Sequence, residues 1–553
     1  MTRRTLFSRL FGIVVSLACG AATAQERSKA GRDAGPPASR SPAVESTAAR
    51  VRTYDLQFST YFGGSGGDLL RDMTVDARGD IYIAGIAGSA DFPRTPPDIR
   101  GQSKGGGGMV AKFSPAGTLI WSKVVGALAG ESSYLYSVKV DNAGFVFVAG
   151  RIGPGFPTTP GAFQPTTAHP CGFVGKLKPD ASAWVWASYV GTGYAARDMT
   201  MDDQGNLYCV LDYFAESKER LPAEWFAKAY QKTPHGGGNH FGKSDAGVIK
   251  ISNDGKVLWA TWIGGSKGND WVASLGVGAD HCPVVLLRAY SKDMPTTAGA
   301  AGPTNVALAL PGEGWLGKLL ADGSKLVFGT YIADAFPRTH NLALDPQGNI
   351  FICTCTKKWP ATPGAFQMRF GGGPEDFGVA KFSPMGKLLA ATYLGGNGDE
   401  INGPDQIATD ADGNVVVAGS SSSTDYPVTE GAFQSRNAGA GGKYPYDGVV
   451  SMLSNDLGRL LYSTYIGGTG DEMARACCSG PDGALYVGGV TTSRDFPLRN
   501  AYQKKYGGDP GFGSVPNGGK FPVGWENGDC WLAKFRPVAG NVETGPGRGS
   551  GNR

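Results

Sequence analysis

Residues 59–64 read STYFGG, a short aromatic strand closed by two glycines, and the chain repeats this phrase with small changes six more times. It returns as SKVVG (122–126), ASYVG (187–191), ATWIGG (260–265), GTYI (329–332), ATYLGG (391–396) and STYIGG (463–468). With Tyr61, Val124, Tyr189, Trp262, Tyr331, Tyr393 and Tyr465 taken as one position, the copies stand 63, 65, 73, 69, 62 and 72 residues apart. A period of that size marks a repeat architecture, in which units stack to bury what none could bury alone.

Outward from the phrase, each unit resolves into four short apolar runs separated by glycine-bearing turns. In the sixth these are Gln406–Asp410, Asn414–Gly419, Gly448–Leu453 and Arg459–Gly467, with tight turns at Ala411–Gly413 and Asn455–Gly458. Successive residues of a strand face opposite sides. One face of the fourth strand carries Phe58, Trp121, Trp186, Trp259, Phe328 and Tyr462, with Ala390 the exception; the other carries the Tyr61 series. Small sheets that are apolar on both faces are satisfied by stacking around an axis. The expected fold is all-β, a seven-bladed β-propeller of four-stranded blades spanning 54–537.

The last unit has three strands, Arg475–Cys478, Ala484–Gly489 and Cys530–Phe535, and no fourth, whereas Asp55–Gly63 is a fourth strand with no first three. Pairing the N-terminal strand (about 55–63) beside Trp531–Phe535 closes the last blade and removes two exposed edges.

The ends follow other rules. Residues 1–24 read as a signal peptide: Arg3, Arg4 and Arg9 precede an apolar run from Leu10 to Cys19, and Ala22–Ala24 forms an AxA-like cleavage site. Export by a bacterium is therefore expected, to the periplasm, the medium or the cell surface. TRRTLF (2–7) also resembles a twin-arginine signal, with ordinary export the favoured reading; Leu17–Cys19 is a poor lipobox because Ser16 stands where Leu is usual. Residues 25–53 and 538–553 have linker-like and tail-like compositions that bury too little apolar surface to order. Of 52 basic residues three lie in the leader, so 49 face 48 acidic ones in the mature chain. That balance does not favour nucleic acid as a partner, and no other apolar run approaches the roughly 18 residues of a membrane helix.

Runs such as DADGNVVVAGSSSSTDYPVTEGAFQ (410–434), GVAKFSPMGKLLAATYLGGNGDE (378–400) and STYIGGTGDE (463–472), with GAFQ repeated unchanged at 161–164, 364–367 and 431–434, carry a family likeness. From Tyr54 to Pro537 the chain resembles the bacterial SBBP beta-propeller repeat. The resemblance implies a seven-bladed propeller on exported or surface proteins and supplies no general catalytic site. Blades two to four depart most, with ALAGES (127–132), TGYAARD (192–198) and GAAG (299–302) in place of the usual motifs.

Several motifs invite chemical readings. GGSGGD (63–68) matches the core of calcium-binding β-roll repeats, but those need tandem nine-residue copies, so a structural turn is favoured over calcium. Asp399, Glu400, Asp471 and Glu472 look like paired acid–base carboxylates; their recurrence from blade to blade argues for capping of loops. Lys112, Lys176, Lys250, Lys318, Lys381 and Lys534 recur in the third strand, where a buried charge must be matched, and Asp76, Asp141, Asp202, Asp345 and Asp410 are the expected partners within each blade. DGKVLWATW (254–262), with Trp121 and Trp186, resembles quinoprotein propellers, although Phe58, Phe328 and Tyr462 in equivalent copies favour packing. His235 and His240 have no adjacent acidic or cysteine ligand for zinc. Eight cysteines remain after leader removal, an even number that permits disulfides, a vicinal Cys477–Cys478 bridge among them. No cofactor and no metal are expected.

The connections from second to third strand, Asp212–Asp245, Ser420–Asp447 and Val490–Asp529, are far longer than hairpin loops, and long loops on a rigid scaffold carry function. They supply Trp225, Tyr230, Tyr444, Tyr446, Tyr506, Phe512 and Trp525 for stacking on sugars or peptides. The first strands begin with polar pairs at the channel mouth: Arg71 and Asp72, Arg197 and Asp198, His340 and Asn341, Asp405 and Gln406, then Arg475. Such a ring could hold a carboxylated sugar or other anion through arginine forks, or be a solvated rim whose charges cancel. The favoured function is a binding or interaction module, a monomer, with an extracellular glycan or protein as partner. A polysaccharide lyase or hydrolase is the alternative, and a surface scaffold without ligand is the third reading.

Overall fold

The computed structural model describes residues 51–126, 133–191, 195–212, 221–235, 245–266, 270–299, 313–332, 334, 335, 337, 340–401, 407–440, 445–508 and 528–538. The leader, residues 25–50 of the linker and residues 539–553 of the tail lie outside them, as do Asp405, Gln406, Tyr444, Phe512 and Trp525. Seven antiparallel sheets follow one another along the chain. In the first, Asp68–Val75, Ile81–Ala87, Gly107–Phe113 and Leu119–Val125 pair in order from the axis outward. The first strands of successive sheets touch in a closed cycle, the last (Glu472–Ser479) returning to Asp68–Val75. This is the seven-bladed propeller. In the sixth blade the first strand is split into Glu400–Ile401 and Ile407–Thr409. No helix among the described residues is long and apolar enough to cross a membrane.

The ring closes as the phrase implied. Tyr54–Phe62 pairs antiparallel with Asp529–Pro537, Tyr61 opposite Trp531 and Leu56 opposite Phe535. Ahead of that strand Arg52 reaches blade six, where its guanidinium lies 2.9 Å from Asp410 and 3.2 Å from Asp412. Turn chemistry repeats in the same way: Asp410 accepts from the N–H groups of Asp412 and Asn414 while Gly413 takes a φ of +77° that other residues resist.

The tyrosine of the phrase has a defined duty. Tyr465 Oη donates to the Ser423 carbonyl at 2.7 Å and accepts from the Tyr426 N–H at 3.1 Å. Tyr61 does the same with Ser493 and Phe496, Tyr189 with Gly153 and Phe156, Tyr331 with Ser291 and Met294, and Tyr393 with Lys357 and Trp359. One buried hydroxyl thus ties the outer strand to the start of the second-to-third connection. At Trp262, which has no such hydroxyl, Phe226 stacks on the indole, centroids 5.5 Å apart and planes 11° apart.

The long second-to-third connections have a structural course in their described parts. Past their first residues they fold back along the outer edge of the fourth strand, where the Tyr465 N–H donates to Gln434 O, Tyr393 to Gln367, Trp262 to Gln231, Tyr189 to Gln164 and Tyr61 to Gln503. The side chains of Gln503, Gln231, Gln367 and Gln434 then accept from the first glycine of the phrase, as Gln434 Oε1 does from Gly467 N at 3.1 Å, whereas Gln164 Nε2 donates to the Gly191 carbonyl. Their described parts therefore cover a sheet edge, which would otherwise be open to pairing.

The third-strand lysines find carboxylates within their own blades, although not always those expected. Lys250 meets Asp202 at 3.1 Å, whereas Lys112, Lys318 and Lys534 turn to Asp80, Asp280 and Asp482 in the following turn. Lys176 and Lys381 bond first to Asn253 and Asn455, with Asp141 and Asp345 each 3.8 Å away. All eight described cysteines are free thiols, so the vicinal bridge is not formed.

Candidate functional site

Five of the seven first strands, which line the axis, share one irregularity. The pairing register slips between Leu70 and Asp72, Leu135 and Ser137, Ala196 and Met199, Val272 and Ser274, and Ala474 and Ala476. Such a bulge inserts one residue and re-aims its side chain. Three of the inserted positions meet: the Arg71 guanidinium lies 5.5 Å from the centre of the Tyr136 ring and that of Arg197 5.9 Å from the same centre. Tyr134 adds a second ring, edge-on at 6.2 Å. Blades one, two and three thus contribute an aromatic platform flanked by two cations, worth about 0.5–2 kcal/mol per contact as cation–π attraction. Arg71 and Arg197 are partly exposed.

The acidic members of the ring serve another purpose. Asp72 is fully buried; its Oδ2 accepts from Ser137 Oγ (2.8 Å), Val138 N (2.8 Å) and Lys139 Nζ (2.7 Å), all on blade two. Asp198 repeats the staple onto blade four, accepting from Ser274 Oγ (3.0 Å) and Leu275 N (2.8 Å). Burial works against the Asp72 anion, but Lys139 and His340 outweigh it and hold its pKa below the ordinary value.

His340 spans the axis. Its Nδ1 lies 2.9 Å from Asp198 Oδ1 and its Nε2 3.0 Å from the Tyr136 carbonyl oxygen. Both partners can only accept, so both ring nitrogens donate and the ring is an imidazolium. Burial opposes that charge, yet Asp198 and Asp72 outweigh it and the pKa stands above its ordinary 6.5. A ring engaged at both nitrogens has no lone pair for taking a proton. Asn341 is buried beside it, and Arg475 is fully buried, with Nη2 4.0 Å from Met473 Sδ. Beyond this brace, toward the turns that follow the first strands, Lys139, Asp198, His340, Leu275, Leu342 and Ile407 help to enclose a cavity of about 180 Å³.

Trp225 lies away from the axis. It sits on a short 3-10 turn (Ala223–Phe226), packed edge-on against Phe163 of blade two at 5.7 Å. Asp405, Gln406 and Trp525 lie outside the described residues. Tyr134 and Tyr136 were missed because the first-strand ring was read through its charges; their signal was the aromatic pair YLY (134–136) at the place of LLR (69–71).

Among the described residues Asp202, Asp203 and His281 form the grouping with metal-ligating reach. Asp202 already accepts from Asn206 and Tyr208 and has the Lys250 ammonium at 3.1 Å, a poor setting for a second cation.

No family model matches the sequence, and no curated protein matches it. Solved structures do. Kuenenia stuttgartiensis hydrazine synthase aligns with a TM-score of 0.39 at 10% identity, over 80% of this chain and 95% of that one. A europium-containing methanol dehydrogenase aligns at 0.37 and 12%, over 89% and 94%. A PL25 ulvan lyase bound to -[GlcA(1-4)Rha3S]- aligns at 0.36 and 11%, over 78% and 92%. Similarity at this level says nothing about activity.

Proposed function

We propose that the chain is an exported propeller of the SBBP-repeat kind that acts as a monomeric binding module and takes an acidic extracellular glycan at the axis. The observation that carries this reading is the Arg71–Tyr136–Arg197 cluster, in which two guanidinium groups flank one aromatic ring. A sugar ring stacks on such a face while its carboxylate or sulfate pairs with the guanidinium fork. Asp72 and Asp198, the neighbouring anions, accept from groups of the next blades. The doubly donating His340 disfavours a lyase or hydrolase that would use it as base.

The test is an array of neutral and acidic oligosaccharides, run with and without EDTA. Uronate or sulfated sugars should bind independently of EDTA, and Arg71→Ala and Arg197→Ala should each weaken binding about tenfold, the value of one charge-assisted contact. Equal binding of neutral sugars, or binding indifferent to both substitutions, refutes the proposal. Turnover of a bound glycan that is lost in His340→Ala would move the reading to an enzyme.

A further inference from the structure

At three blade junctions the first of the glycines that close the outer strand is overhung by carboxyl groups from two strands: the third strand of the same blade and the first strand of the next. Between blades five and six these are Asp376 and Glu400, between six and seven Asp447 and Glu472, and at the closure between seven and one Asp529 and Asp68. All six are at most 1% exposed. A Cβ on Gly395 would lie 2.5 Å from Glu400 Oε2 and 2.6 Å from Asp376 Oδ1, and one on Gly63 would lie 2.5 Å from Asp529 Oδ1 and 2.8 Å from Asp68 Oδ2, which places the oxygens of each pair within about 5 Å of each other. Between blades three and four Asp245 overhangs Gly264, and Asp270 accepts from Gly265 N at 2.8 Å.

The groups around these pairs are mostly donors. Glu400 accepts from Gly396 N (3.0 Å), Ser421 Oγ (2.7 Å) and Ser423 Oγ (2.6 Å); Asp376 Oδ2 accepts from Gly371 N (2.7 Å). Glu472 accepts from Gly468 N and Thr491 Oγ1, Asp447 from Ala438 N and Gln434 Nε2, Asp529 Oδ2 from Gly507 N, and Asp68 from Gly64 N and Ser89. Asp376 Oδ1 and Asp529 Oδ1 are buried with no donor. Each faces the other carboxyl of its pair. A proton on either member supplies the missing O–H, and two desolvated carboxylates this close cannot both be charged. A bridging calcium ion would want carbonyl and water oxygens and about 2.4 Å to each ligand, whereas here the space between the pair is the space of a missing Cβ.

We infer that each of these three junctions holds one proton shared between its two carboxyl groups near neutral pH, so that acid latches the side of the ring containing the N-terminal closure and base loosens it. Burial is the main cause that raises Asp376 and Asp447 to about 6 and Glu400 and Asp529 to about 7, and it lifts Asp68 and Glu472 as well. Nearby carboxyls add to this, Asp425 at the first pair, Asp495 at the second and Asp91 at the third; the other titratable groups that face the pairs are Tyr393, Tyr426 and Tyr465 at the first, Asp471, Tyr61 and Tyr465 at the second, and Cys530 and Tyr61 at the third, where Arg475 acts on the Cys530 thiol. Because the folded pKa values exceed the unfolded ones, the native state keeps protons that the unfolded chain releases. The stabilisation is full below about pH 4 and is lost as pH rises through about 6 to 7.

The experiment is urea denaturation of the mature protein from about pH 5 to pH 8, with the unfolding constant rising about tenfold per pH unit for each titrating pair. The triple variant Glu400→Gln, Glu472→Gln, Asp529→Asn, which replaces one member of each pair by a neutral isostere, should flatten that dependence. Infrared difference spectra of the wild type need no variant and should show a protonated-carboxyl C=O band that disappears between about pH 6 and pH 8. Stability that is level or rises from pH 5 to 8, a slope kept in the triple variant, or a C=O band gone by about pH 5 overturns the inference. So does stabilisation by added calcium that the triple variant abolishes, which would make the bridge a metal ion.

Discussion

Tyr465→Phe removes one oxygen atom from the core and nothing else. Tyr465 is 1% exposed, and its hydroxyl bonds the Ser423 carbonyl and the Tyr426 N–H, two main-chain groups of the second-to-third connection in blade six. The ring itself, packed 5.9 Å from Tyr426, stays in place in phenylalanine. Two buried polar groups lose their partner at about 1–3 kcal/mol each, and the loss of phenol desolvation returns a part, so the expected cost is about 2–4 kcal/mol. Urea titration followed by tryptophan fluorescence measures it as a lower midpoint with unchanged slope. Limited proteolysis should show earlier cutting near Ser423–Tyr426. Tyr393→Phe, which repeats the geometry in blade five with Lys357 and Trp359, serves as replicate. A loss below about 0.5 kcal/mol in both, the range of an inconsequential surface change, would refute the role assigned to the phrase.

Three further outcomes follow from the same structure. Deleting Val51–Gly64 removes Tyr54, Leu56, Phe58, Tyr61 and Phe62, all at most 3% exposed; at about 1.5–3 kcal/mol each this rivals the stability of a whole domain, and an unchanged thermal melt would contradict the closure. His340→Leu should cost about 3 kcal/mol, the low end for breaking a buried pair because Asp198 keeps the Met199, Ser274 and Leu275 donors. Its contribution is full below pH 6.5 and fades as pH rises through the raised folded value, so the variant and wild type should converge in stability under alkaline conditions.

The blade count, the closing strand and the turn chemistry were legible in the sequence because each rests on residues close in sequence or on a phrase repeated often enough to be aligned with itself. The lysine pairing was legible as a need, not as a set of partners: Lys112 reaches Asp80 where Asp76 was expected, with Arg78 lying against both carboxylates. The course of the long connections was hidden. GAFQ looks like loop sequence, and only the fold brings Gln434 alongside Tyr465, about thirty residues on, to seal an outer edge. The channel was half legible. A ring of polar pairs was evident, but a bulge cannot be seen in sequence, and it is the bulges that bring Arg71 and Arg197 to Tyr136 while Asp72 and Asp198 turn to the next blade. The carboxyl pairs at the junctions join residues of different blades, which no local pattern reveals.

The most direct test of the binding account is calorimetric titration of the mature protein and of the Arg71→Ala/Arg197→Ala double variant with a uronic-acid oligosaccharide at low and high salt. The account predicts saturable binding to the wild type that weakens with salt, as exposed charge pairing must, and a loss of about a hundredfold or more in the double variant. Equal affinity of the two proteins would contradict it.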